Sequence, residues 1–559
     1  MNYPTIAPST APSTIGLPSR GSVLRRLSLG ALSCSCILAL APALTSSQAL
    51  ADDETGSFWT EFIPSTDTRL IFVSASEGKD TNTGLTADSP VKSLEKGYTL
   101  LRDGSPDWML LKRGDTWNEP LPVWNKSGRS ESEIMIVGAY GDETSRPQIR
   151  PENVSAIRIF GSIAIEHIAF VGMHFEPKNP QESDRASGVL LLKSVNNLLF
   201  EDLYVANWNG NFNLQAFDGA VGTDVRLNGC VVVDSWSDSS HAQGIYAQAL
   251  DGLVIENCVI DHNGYNDDQN APATIYNHNL YINNGTKNVI VRNNIIANAS
   301  SHGIQLRPGG MIEDNLFLSN PIAILIGGGT HPEEGGVTGS VQNNLVMYGR
   351  NITDDQQRSW GIDITNIRSV EVNNNILYSA MLTPNSNAIN MRDYRDDSFG
   401  LMDLSVRNNS IINWPGGLSV GAPGAQSHYE NILIESNSFY LNTALDNKTM
   451  INLFDSSDSS LTIRNNEYNH IGSDSRAFND SGRYMDSAGW SAQAEDSGLF
   501  NLGSSMPTGL GLETYLAANG IDGDMDDFIE LARTMSRQNF NPVILPQVIY
   551  DWHAEQLSD

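Results

Sequence analysis

VIVRNNII (289–296), MIEDNLF (311–317), VQNNLVM (341–347) and VEVNNNIL (370–377) are four versions of one phrase. Each opens with alternating apolar and polar residues, turns through a short polar stretch, and resumes as an apolar strand. Alternation of this kind puts every second side chain on the same face of a strand. The phrase also occurs upstream as IAIEHIAF (163–170), LLFEDLYV (198–205), VRLNGCVV (225–232) and LVIENCVI (253–260). Downstream it returns as LSVRNNSI (404–411), ILIESNSF (432–439) and LTIRNNEY (461–468). A unit recurring every few dozen residues marks a solenoid, in which each unit buries its apolar face against its neighbours.

One column of the repeat narrows the choice. Asn294, Asn315, Asn344, Asn375, Asn409, Asn437 and Asn466 occupy the same place in successive units. Asn tolerates the left-handed backbone of a tight bend. Amides stacked about 4.8 Å apart can also hydrogen-bond along the stack. These residues therefore build the fold and do no chemistry. A second strand recurs before each phrase: GIYAQ (244–248), NLYIN (279–283), GIQLR (303–307), GIDIT (361–365) and AINMR (388–392). In it Ile245, Leu280, Ile304, Ile362 and Ile389 should point inward. The fold class is all-β: a right-handed parallel β-helix of about eleven coils, with an N-terminal cap and a short helical C-terminal tail. The expected divisions are an export signal at 1–51, a cap at 52–130, the helix at 131–475 and a tail at 476–559.

Cys230 and Cys258 fall in one column, a repeat apart, where neighbouring rungs bring Cα atoms within reach of a disulfide. Two stacked thiols packing as small apolar groups is the other reading, and both stay open. At the N-terminal end, VSASEGKDTNTG reads as a strand and turn, and SPVKSLEKG as a helix starting near Pro90. Together they would cover the open edge of the first coil. At the other end Asp522, Asp524, Asp526 and Asp527 lack the glycine and closing glutamate of a calcium loop, so Asp524 reads as a helix N-cap.

The chain has 559 residues, of which 18% are charged, with 48 glycines and a formal net charge of −31. That charge repels nucleic acid and anionic membranes, and neither is expected as a partner. It repels a polyanionic sugar too, so a groove for one would need local cations. Arg25 and Arg26 precede a mostly apolar run from Leu27 to Leu44, and Ala49-Leu50-Ala51 resembles a cleavage site that leaves Asp52 as the mature start. The protein is expected to be exported to the periplasm or beyond the cell. No later stretch approaches about 18 unbroken apolar residues, so no membrane span is expected. A monomer is expected.

The repeat, the Asn column and the VSASEGKDTNTG…SPVKSLEKG cap together resemble the pectate-lyase-like superfamily, over residues 70–475. The resemblance implies a fold whose members are mostly secreted lyases, hydrolases and epimerases of acidic polysaccharides, beside non-catalytic adhesins. It leaves the reaction open, because function resides in sites grafted on a fold. The chain has no Asp-Pro-His-Asp motif of the mannuronan-epimerase kind and no Asp pair of the pectin-hydrolase type.

The insertion HNGYNDDQNAPATIYN (262–277) directs attention to residues 241–307. The outward columns there are Tyr246, Tyr281, Gln305 and then Gln248, Asn283, Arg307. A third column, Gln243, His278, His302, lies just before the strands. Tyrosine faces stack on sugars and amides bond hydroxyls, which makes Tyr246, Gln248, Asn283 and Gln305 candidate substrate contacts, with Arg392 a subsite cation further along. β-Elimination beside a uronate needs a cation for the carboxylate, a base for the C5 proton and an acid for the leaving oxygen. Arg307 suits the first task, His278 or His302 the second, Tyr281 or Tyr276 the third. Plainer roles compete: histidines buried at a bend, Arg307 covering a turn, Tyr281 packing at the surface. No cofactor is implied, and calcium at Asp267 and Asp268 competes with simple loop solvation.

The leading expectation is a polysaccharide lyase acting on an acidic polysaccharide. An epimerase shares its first steps. A glycoside hydrolase ranks lower, because Asp363 lacks an obvious second carboxylate. A non-catalytic glycan-binding or surface-layer protein would need the tyrosines and amides but not the His/Arg pairing.

Overall fold

The computed structural model describes residues 58–161, 164–181, 186–217, 219–328, 336–380, 386–393, 400–421, 428–442, 449–454, 460–471, 475–494, 496, 498–502 and 507–558. The predicted leader at 1–51 lies outside them.

Each phrase of the repeat folds as two strands joined by a sharp bend, and the strand preceding it supplies the third side of a coil. Stacked coils give three sheets of 14, 14 and 13 strands. The first sheet runs from Leu70–Val73 to Leu461–Arg464, the second from Thr116–Trp117 to Leu499–Leu502, and the third from Ile157–Phe160 to Arg483–Met485. Pairing is parallel throughout except where Phe478–Asp480 meets Arg483–Met485. The stack therefore reaches beyond the eleven phrases, since Leu70–Val73 and Trp108–Lys112 already pair in register.

Alternation decides what is buried. Ile245, Leu280, Ile304, Ile324, Ile362 and Ile389 are register partners on successive strands of the third sheet, each with 0% exposure. Each such side chain stabilises the fold by roughly 1.5–3 kcal/mol relative to exposure. Phe170 stacks on Phe200 at 5.7 Å, and Phe439 on Tyr468 at 5.3 Å, so the core continues as layers along the axis.

The Asn column forms an unbroken ladder. Asn294 Nδ2 donates to Asn315 Oδ1, and the pattern passes through Asn344, Asn375, Asn409 and Asn437 to Asn466 at 2.9–3.0 Å. The left-handed position differs from the one expected. It is the preceding residue, Asn293 (φ 53°), Asn343 (φ 55°), Asn374 (φ 56°) or Asn408 (φ 54°), that makes the bend. The bend turns the next Asn inward, where its amide meets the backbone groups that a corner leaves without strand partners. Cys230 and Cys258 pack in the same corner as free thiols, with Cys258 Sγ facing the Cys230 N–H at 3.4 Å.

Helix α1 (Leu94–Leu100) closes the N-terminal end, with the Ser93 hydroxyl accepting from the Lys96 N–H at 3.1 Å. Leu94 is buried there, and Gly97 lies so close to Val73 and Met109 that a Cβ would clash. Helix α2 (Ser487–Ala494) closes the other end, with Trp490 stacked on Phe478 at 4.8 Å. Helices α3 (Leu512–Ala518), α4 (Met525–Arg533) and α5 (Pro546–Ser558) fold back onto the outer face of the second sheet. Asp524 caps α4 in a reciprocal capping box with Asp527.

The tail is fastened by buried charge. Arg537, 2% exposed, reaches Glu201 (0% exposed) and donates to the Thr60 carbonyl at 2.8 Å. Thr60 Oγ1 donates to the same Glu201 carboxylate at 2.7 Å. The segment around Phe58–Thr60 and the C-terminal tail thus hold one another against the side of the solenoid.

Candidate functional site on the outer face of the third sheet

The solenoid has three outer faces of different chemistry. That of the first sheet carries ion-paired charge: Glu256 between Arg226 and Arg292, Arg407 on Glu371, and Arg464 on Glu435. That of the second sheet lies under α3, α4 and α5. That of the third sheet is rich in amides and aromatic rings, which leaves it as the face suited to a ligand.

Register places the predicted columns side by side. Tyr246 pairs with Tyr281 and Tyr281 with Gln305, while Gln243 pairs with His278 and His278 with His302. The Tyr246 and Tyr281 rings meet edge to face at 5.4 Å. Tyr246 donates to Gln248 Oε1 at 2.8 Å and accepts from Asn283 Nδ2 at 2.9 Å. Both tyrosines are half-buried, and burial pushes the Tyr246 phenol up from its ordinary value. Further residues extend this floor: Asn213 and Gln215 on the preceding strand, bonded to each other, and Phe217 just past it. They lie one rung before the 241–307 region, and the alternation in GNFNLQ (210–215) marks both amides as outward.

The histidines lie on the outer side, with the Tyr281 ring 5.2 Å from His278, but each is only 3% exposed. The Ser301 hydroxyl lies 2.8 Å from His278 Nδ1 and 2.9 Å from His302 Nδ1, and donates to the Asn277 carbonyl at 2.6 Å. The two Nδ1 atoms are 3.0 Å apart. They cannot both present a proton across that gap, so one accepts and at least that ring is neutral. Burial, with Arg307 and His241 adding repulsion, lowers His278 to about 3. Burial, then His278 and the nearby arginines, holds His302 well below its usual range. A base for an exposed C5 proton is not what this packing provides, and the buried-bend reading describes it.

The predicted cations are also occupied. Arg307 donates to the Gly328 carbonyl. Arg392 clamps Asp363 through two hydrogen bonds and lies 4.7 Å over the Trp360 ring. Asp363 has 0% exposure, and it is the one carboxylate at an outward position among the described strands of this sheet. Tyr276, 64% exposed, stacks on His241 at 5.6 Å, and its carbonyl accepts from Gln243 Nε2 at 3.0 Å. Gln305 is 5% exposed and lies beneath the surface of the floor.

Asp267 and Asp268 open a short turn closed by pairing of Asn266 with Ala271. Among the described residues, no three His, Cys, Asp or Glu side chains converge closely enough to hold a metal ion. A cleft of about 340 Å³ between α4 and the second sheet is lined by Asp234, Asp261, His262, Asn298, Asp526 and Arg533. Arg533 ties it shut through Asp234 and Asp261, which makes it a seam of the docked tail. No helix among the described residues is long and apolar enough to cross a membrane.

Residues 182–346 match the family described as a right-handed β-helix region. With the three stacked parallel sheets, that match gives this chain a right-handed parallel β-helix fold. A lacto-N-biosidase of Bifidobacterium longum subsp. longum is 26% identical over 212 residues, which is 37% of this chain and only 12% of that protein's length. Among solved structures, lacto-N-biosidase from Eubacterium ramulus aligns at TM-score 0.43 and 13% identity, over 78% of this chain and 68% of that one. A rhamnogalacturonan lyase aligns at TM-score 0.32 and 13% identity, over 65% and 85% respectively.

Proposed function

We propose that this protein is an exported carbohydrate-active enzyme, acting in the periplasm or outside the cell, that takes a glycan along the outer face of the third sheet and cleaves it by hydrolysis. The observation that carries the reading is the floor itself: half-buried tyrosines on adjacent rungs, tied to amides, continuing toward Asp363. Rings of this kind stack on the C–H faces of sugars, and amides match their hydroxyls. Hydrolysis is favoured over elimination because the curated relative is named as a lacto-N-biosidase. Burial and bonding weigh alike on His278, Arg307 and Asp363, so they do not separate the two reactions.

Asp363 is the carboxylate we assign to the reaction, as one of the two that a glycosidase of this kind uses. The described strands of this sheet offer no second one at an outward position, and its partner would have to come from elsewhere along the groove. Arg392 covers it, so a sugar entering there must displace the guanidinium. The test is release of new reducing ends from a glycan panel by the full chain, alongside the ultraviolet absorbance that an unsaturated uronate would give. Reducing ends without that absorbance, lost in Asp363→Asn, are the expected result. The absorbance would restore the lyase reading. Retained binding without turnover, unaltered in Asp363→Asn, would favour a non-catalytic glycan-binding protein, a reading that the complete burial of Asp363 supports.

A further inference from the structure

We infer that the glycan held on this face is uncharged, a substrate class that rests on the reading of the face proposed above. A polyuronate carries a carboxylate on each sugar, and a protein of formal net charge −31 repels it before contact. Binding one requires cations placed along its path. Across four successive strands, from Ser187–Leu192 to His278–Ile282, the outward positions hold serine, glycine, leucine, asparagine, glutamine, tyrosine and the buried, neutral His278, with no carboxylate, lysine or arginine. With rungs about 4.8 Å apart, that is a path of roughly 14 Å, long enough for about three sugar residues.

Among the described residues, the cations bordering the path are buried or bonded to other groups, and the charge of Arg307 lies one rung past its end. Lys193 is 5% exposed, and burial lowers its amine. Arg158 donates to the Leu121 carbonyl at 3.2 Å. Arg307 is bonded to Gly328 and Arg392 to Asp363. What the path offers is apolar surface and neutral hydrogen bonding. Phe160 is 40% exposed and Phe217 48% exposed, both on the margin of this face, which is a large outlay of ring surface in water. Tyr246 is oriented by its bonds to Gln248 and Asn283 before any ligand arrives. An amide both donates and accepts, as a sugar hydroxyl does, whereas a carboxylate only accepts. The uncharged floor on a strongly acidic protein is thus matched to hydroxyls and C–H faces.

The experiment is calorimetric titration of the full chain with neutral glycans (a β-glucan, a galactan, a xylan, an N-acetylhexosamine oligosaccharide) and with polygalacturonate and alginate. Each is run at low and high NaCl, for wild type, Tyr281→Ala and Phe217→Ala. Tyr281→Phe, which keeps the ring, controls for folding. The expected result is binding of at least one neutral glycan with an affinity independent of salt, weakened about tenfold by Tyr281→Ala or Phe217→Ala and kept by Tyr281→Phe. Binding of a uronate that fades with salt, and is lost in Tyr281→Ala, would overturn the neutral assignment and leave the face in place. Binding of any glycan that neither alanine variant alters would overturn the face itself. Absence of binding in both panels would overturn both.

Discussion

Replacing Asn344 with alanine tests whether the amide ladder holds the coils in register or merely decorates a corner. Asn344 is completely buried. Its Nδ2 donates to Asn375 Oδ1 at 3.0 Å and to the carbonyls of Ile312 at 2.9 Å and Gln342 at 3.0 Å. Its Oδ1 accepts from the Asn315 N–H at 3.1 Å and from Asn315 Nδ2 at 3.0 Å. In Asn344→Ala the Asn315 amide keeps the Val291 and Glu313 carbonyls, both at 2.9 Å. The Asn315 N–H is stranded, and the carbonyls of Ile312 and Gln342 lose a donor. A buried polar group left unsatisfied costs roughly 1–3 kcal/mol, so the variant should lose about 3–5 kcal/mol. Urea unfolding, followed by far-UV circular dichroism and tryptophan fluorescence, reads this as a lower midpoint, provided the two probes coincide. Asn343 supplies the contrast, because what it contributes is the bend at φ 55° and a hydrogen bond to the half-buried Asp314, outside the ladder. Asn343→Gly should be nearly neutral and Asn343→Val should cost about 1–2 kcal/mol. If Asn344→Ala stays within about 0.5 kcal/mol of wild type, or falls no further than Asn343→Val, the amide is not what holds the corner.

Three further outcomes follow from the same packing. His278 is neutral in the fold down to about pH 3 but titrates near its ordinary value of 6.5 when unfolded, so stability is complete above pH 6.5 and declines below it. The slope is about 1.4 kcal/mol per pH unit, and His278→Gln should flatten the fall in melting temperature between pH 6.5 and 4, whereas an unchanged profile would contradict the buried neutral pair. Both the Cys230 and Cys258 thiols are buried, and burial raises that of Cys230, so neither should react with iodoacetamide in the native protein and both should in denaturant; a melting temperature lowered by reductant would instead indicate a disulfide. Arg537→Ala leaves Glu201 charged and buried without its partner, which should cost about 3–5 kcal/mol and speed proteolysis of the tail, while Arg537→Met with Glu201→Gln should recover much of the loss.

The solenoid was legible because its signal repeats. One alternating strand is ambiguous, but six with inward Ile or Leu at the same phase leave a single way to stack, and Ile245 through Ile389 do so. Neighbour relations across rungs were legible for the same reason: His278 lies beside His302 and Tyr246 beside Tyr281. The sequence does not state what lies over a side chain. The 262–277 insertion points to residues 241–307 as a site, yet its end delivers the Asn277 carbonyl to Ser301, whose hydroxyl sits between the histidines. Nor does phase alone reveal a diagonal pair. Register sets Arg392 opposite Thr365, and only the length of the arginine side chain lets it reach back to Asp363.

Which outer face is available was readable in principle. Val231–Val233, Ile295–Ala297, Leu316–Leu318 and Leu345–Met347 are apolar at inward and outward positions alike, which is the pattern of a sheet covered on both sides. Their outward residues need a partner, and α4 brings Phe528, Ile529 and Ala532 to the same cluster. Once the second sheet is assigned to the tail and the first to its ion pairs, an extended ligand has only the third sheet on which to lie. There the lack of charge becomes informative. A surface that serves solubility alone would carry the carboxylates abundant elsewhere in a chain of formal net charge −31, and four rungs without one leave uncovered rings and amides in their place. That exchange of hydration for stacking surface is unfavourable unless something with hydroxyls and C–H faces covers it, which is why the face, rather than any single residue upon it, carries the functional assignment.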